Sequence, residues 1–176
     1  MSGILFFRSD CESDLPRTED SSKIDDLLEV WRPTLREFGP PGTALFPFCL
    51  WWVFHWTKIF GNDGYRIFLL KDHGELVHRS CLFPPYFRFP FMRPNDMQVG
   101  DIWTAESRRG KGMAAEVLRQ ILRDLSGIRV WYLCESENIA SVRLARSAGM
   151  TLYAVGLRTS KWGMSLFGRF EIQTLV

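Results

Sequence analysis

The sequence predicts an α/β (α+β) fold, a mixed sheet with helices on its faces. Three observations predict it. Dense apolar runs of strand length recur through the chain. Two segments of helical periodicity, one from Met113 and one over 138–148, alternate with such runs. The chain then closes on two consecutive strands, 152–158 and 167–174, separated by a Gly/Ser/Lys turn.

In order, residues 4–10 (ILFFRSD) read as a first strand. Ser21 or Ser22 can cap a helix whose apolar positions Ile24, Leu27, Leu28 and Trp31 recur at helical spacing. Pro33 and the 39–42 stretch GPPG break the chain. The aromatic stretch 44–60, ALFPFCLWWVFHWTKIF, reads as helical in part. Residues 65–71 and 75–82 form a hairpin across Asp72-His73-Gly74. The stretch 83–94, FPPYFRFPFMRP, has too many prolines for a central strand and suits a packed connection, a lid or a dimer contact. Residues 97–105 are a strand that runs into ESRRGKG, after which Met113, Val117, Leu118, Ile121, Leu122 and Leu125 share one helical face. Gly127 ends that helix, IRVWYLC (128–134) is a central strand, and Gly149 stops the second helix.

A chain of 176 residues suits one domain, 1–176, with no linker or repeat. With 22 basic and 20 acidic residues it lacks the basic excess of a nucleic-acid binder. Its four cysteines show no C-x-x-C pairing, and its three histidines have no metal spacing with them, so no metal is expected. The N-terminus has too short an apolar run for a signal peptide, and 44–60 falls short of the roughly 20 residues of a membrane span. A cytoplasmic setting without membrane insertion is the expectation.

The chemistry lies in Ser107-Arg-Arg-Gly-Lys-Gly112. A helix N-terminus presents unpaired N–H groups and partial positive charge to an anion. Gly110 and Gly112 let it approach, and Arg108, Arg109 and Lys111 add charge. The glycine spacing is wrong for a Walker loop, and no Ser or Thr follows Lys111. Residues 110–115 satisfy G-x-G-x-x-A, but the remaining chain cannot build the βαβαβ half that a dinucleotide fold needs.

The stretch resembles the pyrophosphate loop, [QR]-x-x-G-x-[GA], of the GCN5-related N-acetyltransferase (GNAT) superfamily, with Ser107 at the first position. A second block, Asn138 to Met150, is similar to the family's N-x-x-[AS]-x-x-L-Y-x-x-x-G-F helix, with Asn138, Ser141, Leu144 and Gly149 in register. The resemblance covers the 97–176 half and leaves 1–96 as a variable, acceptor-side half. It implies a mixed, mostly antiparallel sheet with one splayed pair of parallel strands, and acetyl-CoA or another short acyl-CoA as donor. It places the pyrophosphate on residues like Arg109 to Ala114, Met113 included, and the pantetheine arm beside Ile102, Trp103 and Thr104, with Asn138 and Ser141 facing it. An amine then attacks the thioester directly.

For the base, Asp101 comes first, where the glucosamine-phosphate N-acetyltransferase branch of the family carries Glu-Asp and this chain has Gly100-Asp101. Glu135 follows, and then Glu106. The family's acid position holds Ala145, so no acid is assigned, and a non-catalytic acyl-CoA-binding module is the alternative. In this fold the acceptor pocket draws on the first helical region and the last loop, which points to Trp52, His55 and Trp56 and to Lys161 and Trp162. Aromatic walls with few acids suit a small-molecule amine such as an amino sugar of envelope polysaccharide synthesis. A homodimer is compatible with this reading.

Overall fold

The computed structural model describes residues 3–9, 27–41, 43, 45–159 and 168–176, with only the backbone at 45–47. Among the described residues eight strands form one sheet: β1 (Ile4–Arg8), β2 (Leu28–Trp31), β3 (Arg66–Asp72), β4 (Glu75–Phe83), β5 (Met97–Thr104), β6 (Val130–Glu135), β7 (Thr151–Arg158) and β8 (Phe170–Leu175). Among the described residues three α-helices of several turns accompany them: α1 (Leu45–Trp56), α2 (Met113–Asp124) and α3 (Ile139–Ser147). The order across the sheet is β2-β3-β4-β5-β6-β1-β7-β8. Every pairing is antiparallel except β5 with β6.

The helical periodicity expected across Leu28 and Trp31 is overturned. Residues 28–31 pair with β3 as an edge strand, Leu28 opposite Leu70 and Trp31 opposite Ile67. Leu28 packs against the α2-side core, and Trp31 is buried in the α1-side cluster. Such two-faced burial matches the pleat of a strand, and tertiary pairing outweighs a periodicity only a few residues long. Residues 21–26, where the helix would begin, lie outside the described residues.

Two cores lie on opposite faces of the sheet. Val117, Leu118, Ile121 and Leu122 of α2 pack with Phe68, Leu82, Val99, Val130 and Tyr132, and Ala145 and Ala148 of the α3 segment close this face. On the other face Phe48 of α1 is buried with Trp31, Phe60, Tyr65, Phe83, Tyr86 and Phe89, and Trp51 and Phe54 pack against it. The proline-rich 83–94 stretch is therefore built into the α1-side core through Phe83, Tyr86 and Phe89.

The parallel pair is short. Met97–Val99 align with Val130–Tyr132, and beyond those three pairs β5 and β6 are no longer hydrogen-bonded. The cause sits on the other edge of β5, where Arg79 pairs with Trp103 but Cys81 pairs with Gly100. Asp101 and Ile102 together oppose Ser80, a bulge in which Asp101 takes φ +47°. The extra residue bends β5 away from its parallel neighbour and opens the sheet.

Candidate active site

A cavity of about 1060 Å³ occupies that opening. On the helix side it is walled by Ile102, Thr104, Met113, Ala114, Tyr132, Cys134, Asn138 and Ser141. On the α1 side its lining includes Asp101, Trp103, Phe89, Leu133, Glu135, Arg158 and Phe170. The division follows from strand alternation: Tyr132 packs in the α2-side core, whereas Leu133 packs against the clusters of the opposite face.

The loop from β5 to α2 is braced from within. Arg108 forms an ion pair with Asp72 at the β3–β4 turn, and Arg109 Nε donates to the Thr104 carbonyl at 3.1 Å. Gly112 caps α2 at φ 76°, and a Cβ built there meets no atom within 4 Å, so the space over the loop is open. Ala115 and Glu116 donate to the Gly112 carbonyl, while the N–H groups just before them belong to the first turn, which has no intrahelical acceptors. An open, left-handed glycine turn at a helix N-terminus is a fit for a pyrophosphate. The two arginines shape the loop, and the backbone offers the donors.

Across the cavity, Asn138 caps α3 by accepting from the Ser141 N–H at 3.0 Å. Burial pushes the phenol of Tyr132 up, and a hydrogen bond with the Ser141 side chain opposes that shift. Cys134 beside it is raised to about 11 by burial, so it is a thiol at neutral pH. Asp101 sits on the opposite face. Arg79 Nη2 donates to its Oδ1 at 2.9 Å, and the Cys81 thiol donates to Oδ2 at 3.5 Å. The Arg79 guanidinium in turn lies 5.1 Å from the ring centre of Phe48 in α1. Burial raises Cys81, and the nearby Asp101 charge raises it further. Behind β5, the fully buried His78 bridges Thr104 Oγ1 and Ser80 Oγ, each at 2.8 Å, and burial followed by the Arg79 charge lowers it to about 4.

Of the residues singled out by sequence, the cavity brings together Asp101, Ile102, Trp103, Thr104, Arg108, Arg109, Gly110, Gly112, Met113, Ala114, Glu135, Asn138 and Ser141. Lys111 is exposed and does not line it. Trp52, His55 and Trp56 lie on α1 outside the lining: Trp52 Nε1 donates to the Thr34 carbonyl, and His55 packs edge-on against Trp56. Lys161 and Trp162 lie outside the described residues. Sequence reasoning missed Phe89, Arg158 and Phe170, and gave no role to Tyr132, which matches no family position. Alternation along 130–135 points to Tyr132, whereas the other three enter through long-range packing.

The sheet opens between two parallel strands, with a glycine turn at a helix N-terminus beside the gap, an arrangement with the donors and the room for a phosphate group. The model of the acetyltransferase (GNAT) family matches residues 24–150, and the chain belongs to that family. Among solved structures, an acetyltransferase of the GNAT family from Colwellia psychrerythraea is 17% identical with a TM-score of 0.51, over 86% of this chain and 53% of that one. A GCN5-related N-acetyltransferase from Sphaerobacter thermophilus is 16% identical with a TM-score of 0.51, over 86% and 48%. A functionally unknown conserved protein from Staphylococcus epidermidis is 10% identical with a TM-score of 0.53, over 88% and 59%. The chain thus spans about half to three fifths of the length of these structures, and the likeness concerns the fold. A comparison with curated proteins gives no significant match. No helix among the described residues is long and apolar enough to cross a membrane.

Proposed function

We propose that this protein moves an acetyl or other short acyl group from acyl-CoA to a primary amine of a small molecule by direct attack. One observation carries the reading: a single cavity runs from the glycine turn on the helix side, through the β5–β6 opening, to two carboxylates on the α1 side. The loop 109–114 and the start of α2 would hold the pyrophosphate. The β5 backbone at Ile102–Thr104 would pair with the pantetheine arm, with Asn138 and Ser141 opposite. Asp101, or Glu135 across the gap, would take the amine proton as the N–C bond forms and the C–S bond breaks. Tyr132 is the phenol of the helix-side wall and would return a proton to the departing thiolate. An amino sugar remains the acceptor that the aromatic lining suits best.

Ala145, buried where the family pattern has Tyr, favours one second reading: a module that binds acyl-CoA without turning it over. Release of free CoA from acetyl-CoA, measured against amino sugars, nucleotide-linked amino sugars, amino acids and polyamines, decides between them. Acceptor-dependent release is expected. Acetyl-CoA binding without release on any amine would establish the second reading, and no binding at millimolar acetyl-CoA would sink both.

A further inference from the structure

The α1-side mouth of the cavity has a chemistry of its own. Phe170 of β8 stacks on Phe89 with centroids 5.5 Å apart and planes 26° from parallel. Two guanidiniums share the Phe170 ring, Arg88 at 5.2 Å and Arg158 at 5.8 Å from its centre. The Phe170 N–H donates to the Arg88 carbonyl at 2.9 Å, which holds the connection from β4 to β5 against β8 at this point. Phe89, Phe170, Arg158 and Glu135 all line the cavity. Burial lowers the proton affinity of Arg158, the like charge of Arg88 lowers it further, and Glu135 opposes both. Two cations therefore stand within electrostatic reach of each other on an aromatic floor, with one carboxylate nearby. A further cation here would be repelled, whereas an anion is attracted by both charges. The pyrophosphate turn lies on the other face of the sheet, so these arginines belong to the acceptor's end.

We propose that the acceptor carries an anionic group, a carboxylate or a phosphate, which Arg158 binds at the Phe89–Phe170 floor, with the Arg88 charge outside the lining adding to the positive potential, while the amine points to Glu135 and Asp101. The proposal rests on the acyl-transfer reading for the amine's role, and its test reads binding rather than turnover. Calorimetry would compare glucosamine 6-phosphate with glucosamine, and an α-amino acid with its amide, on the protein with and without saturating CoA. At least one anionic member should bind tenfold or more tightly than its neutral partner, and the responding pair tells phosphate from carboxylate. Arg158→Gln should erase that difference, Arg158→Lys should restore part of it, and both should bind CoA as the parent does. Equal binding within both pairs, no binding by any of the four, or a difference that survives Arg158→Gln overturns the proposal. Failure of acyl transfer itself would show in the CoA-release assay and leaves this comparison readable.

Discussion

At the scale of single residues, the cavity lining includes a strained carboxylate. Asp101 adopts a left-handed backbone conformation that costs a non-glycine residue on the order of 1 kcal/mol, and Arg79 holds its side chain in return. Strain at a bulge is retained where the chain needs a group aimed in one direction. Asp101→Asn keeps the shape but removes the carboxylate proposed as the base. We predict a fall in kcat of roughly 100-fold or more, with the KM for acetyl-CoA changed by less than about threefold. If kcat stays within about threefold while Glu135→Gln abolishes it, Glu135 is the base. His78 makes a second prediction, on stability. It is neutral and buried at about 4, below its ordinary 6.5, so the unfolded chain binds the proton that the folded one refuses. Its contribution is full above about pH 6.5 and is lost as pH falls towards 4. Between pH 7 and 5 the loss is about 2 kcal/mol. Urea midpoints for the parent should fall across that range more steeply than those of His78→Gln, and equal slopes would show that His78 does not titrate on unfolding.

At the scale of elements, the order of strands and helices from 97 onward was legible because each element has a clear period and a glycine stop. Gly127 and Gly149 both take the left-handed conformation expected past a helix end. Strand β2 was not legible: its four residues show helical spacing, and only pairing with β3 makes them a strand. Most of the helix-side lining follows from local motifs, Tyr132 and Cys134 excepted, so its spacing could be read. Much of the α1-side lining comes from β7, β8 and the 83–94 connection, which no local spacing links. Gly156 shows how tightly that corner is built. A Cβ there would lie 2.0 Å from the Glu171 carbonyl oxygen and 2.9 Å from a Phe6 ring carbon. The first contact is backbone, so β7 and β8 would have to part. Gly156→Ala should therefore cost about 1–3 kcal/mol, or several degrees in Tm, with faster amide exchange along β8. An unchanged melting curve would mean the two strands separate freely.

For the molecule as a whole, the sheet is two antiparallel blocks with a narrow joint. On one side stand β2 to β5; on the other, β6, β1, β7 and β8. The N-terminal β1 is wedged between β6 and β7. Among the described residues the blocks meet within the sheet through three residue pairs of β5 and β6, and α2 spans them by packing on both. A ligand seated in the opening would touch β5, β6, α2 and α3 together and so supply contacts the joint lacks. Binding to the folded state alone adds about 2.7 kcal/mol at a hundredfold excess over Kd, which for a chain of this size raises Tm by roughly 5–10 °C. The location of the gain is the sharper test. Amide exchange should slow at 100–104, 109–114 and 133–135, where the ligand bridges the blocks, and should change least at β2 and β3 on the far edge. Protection spread evenly over the sheet, or confined to the far edge, would mean that acetyl-CoA does not enter the opening, and the assignment of the glycine turn to its pyrophosphate would fall with it.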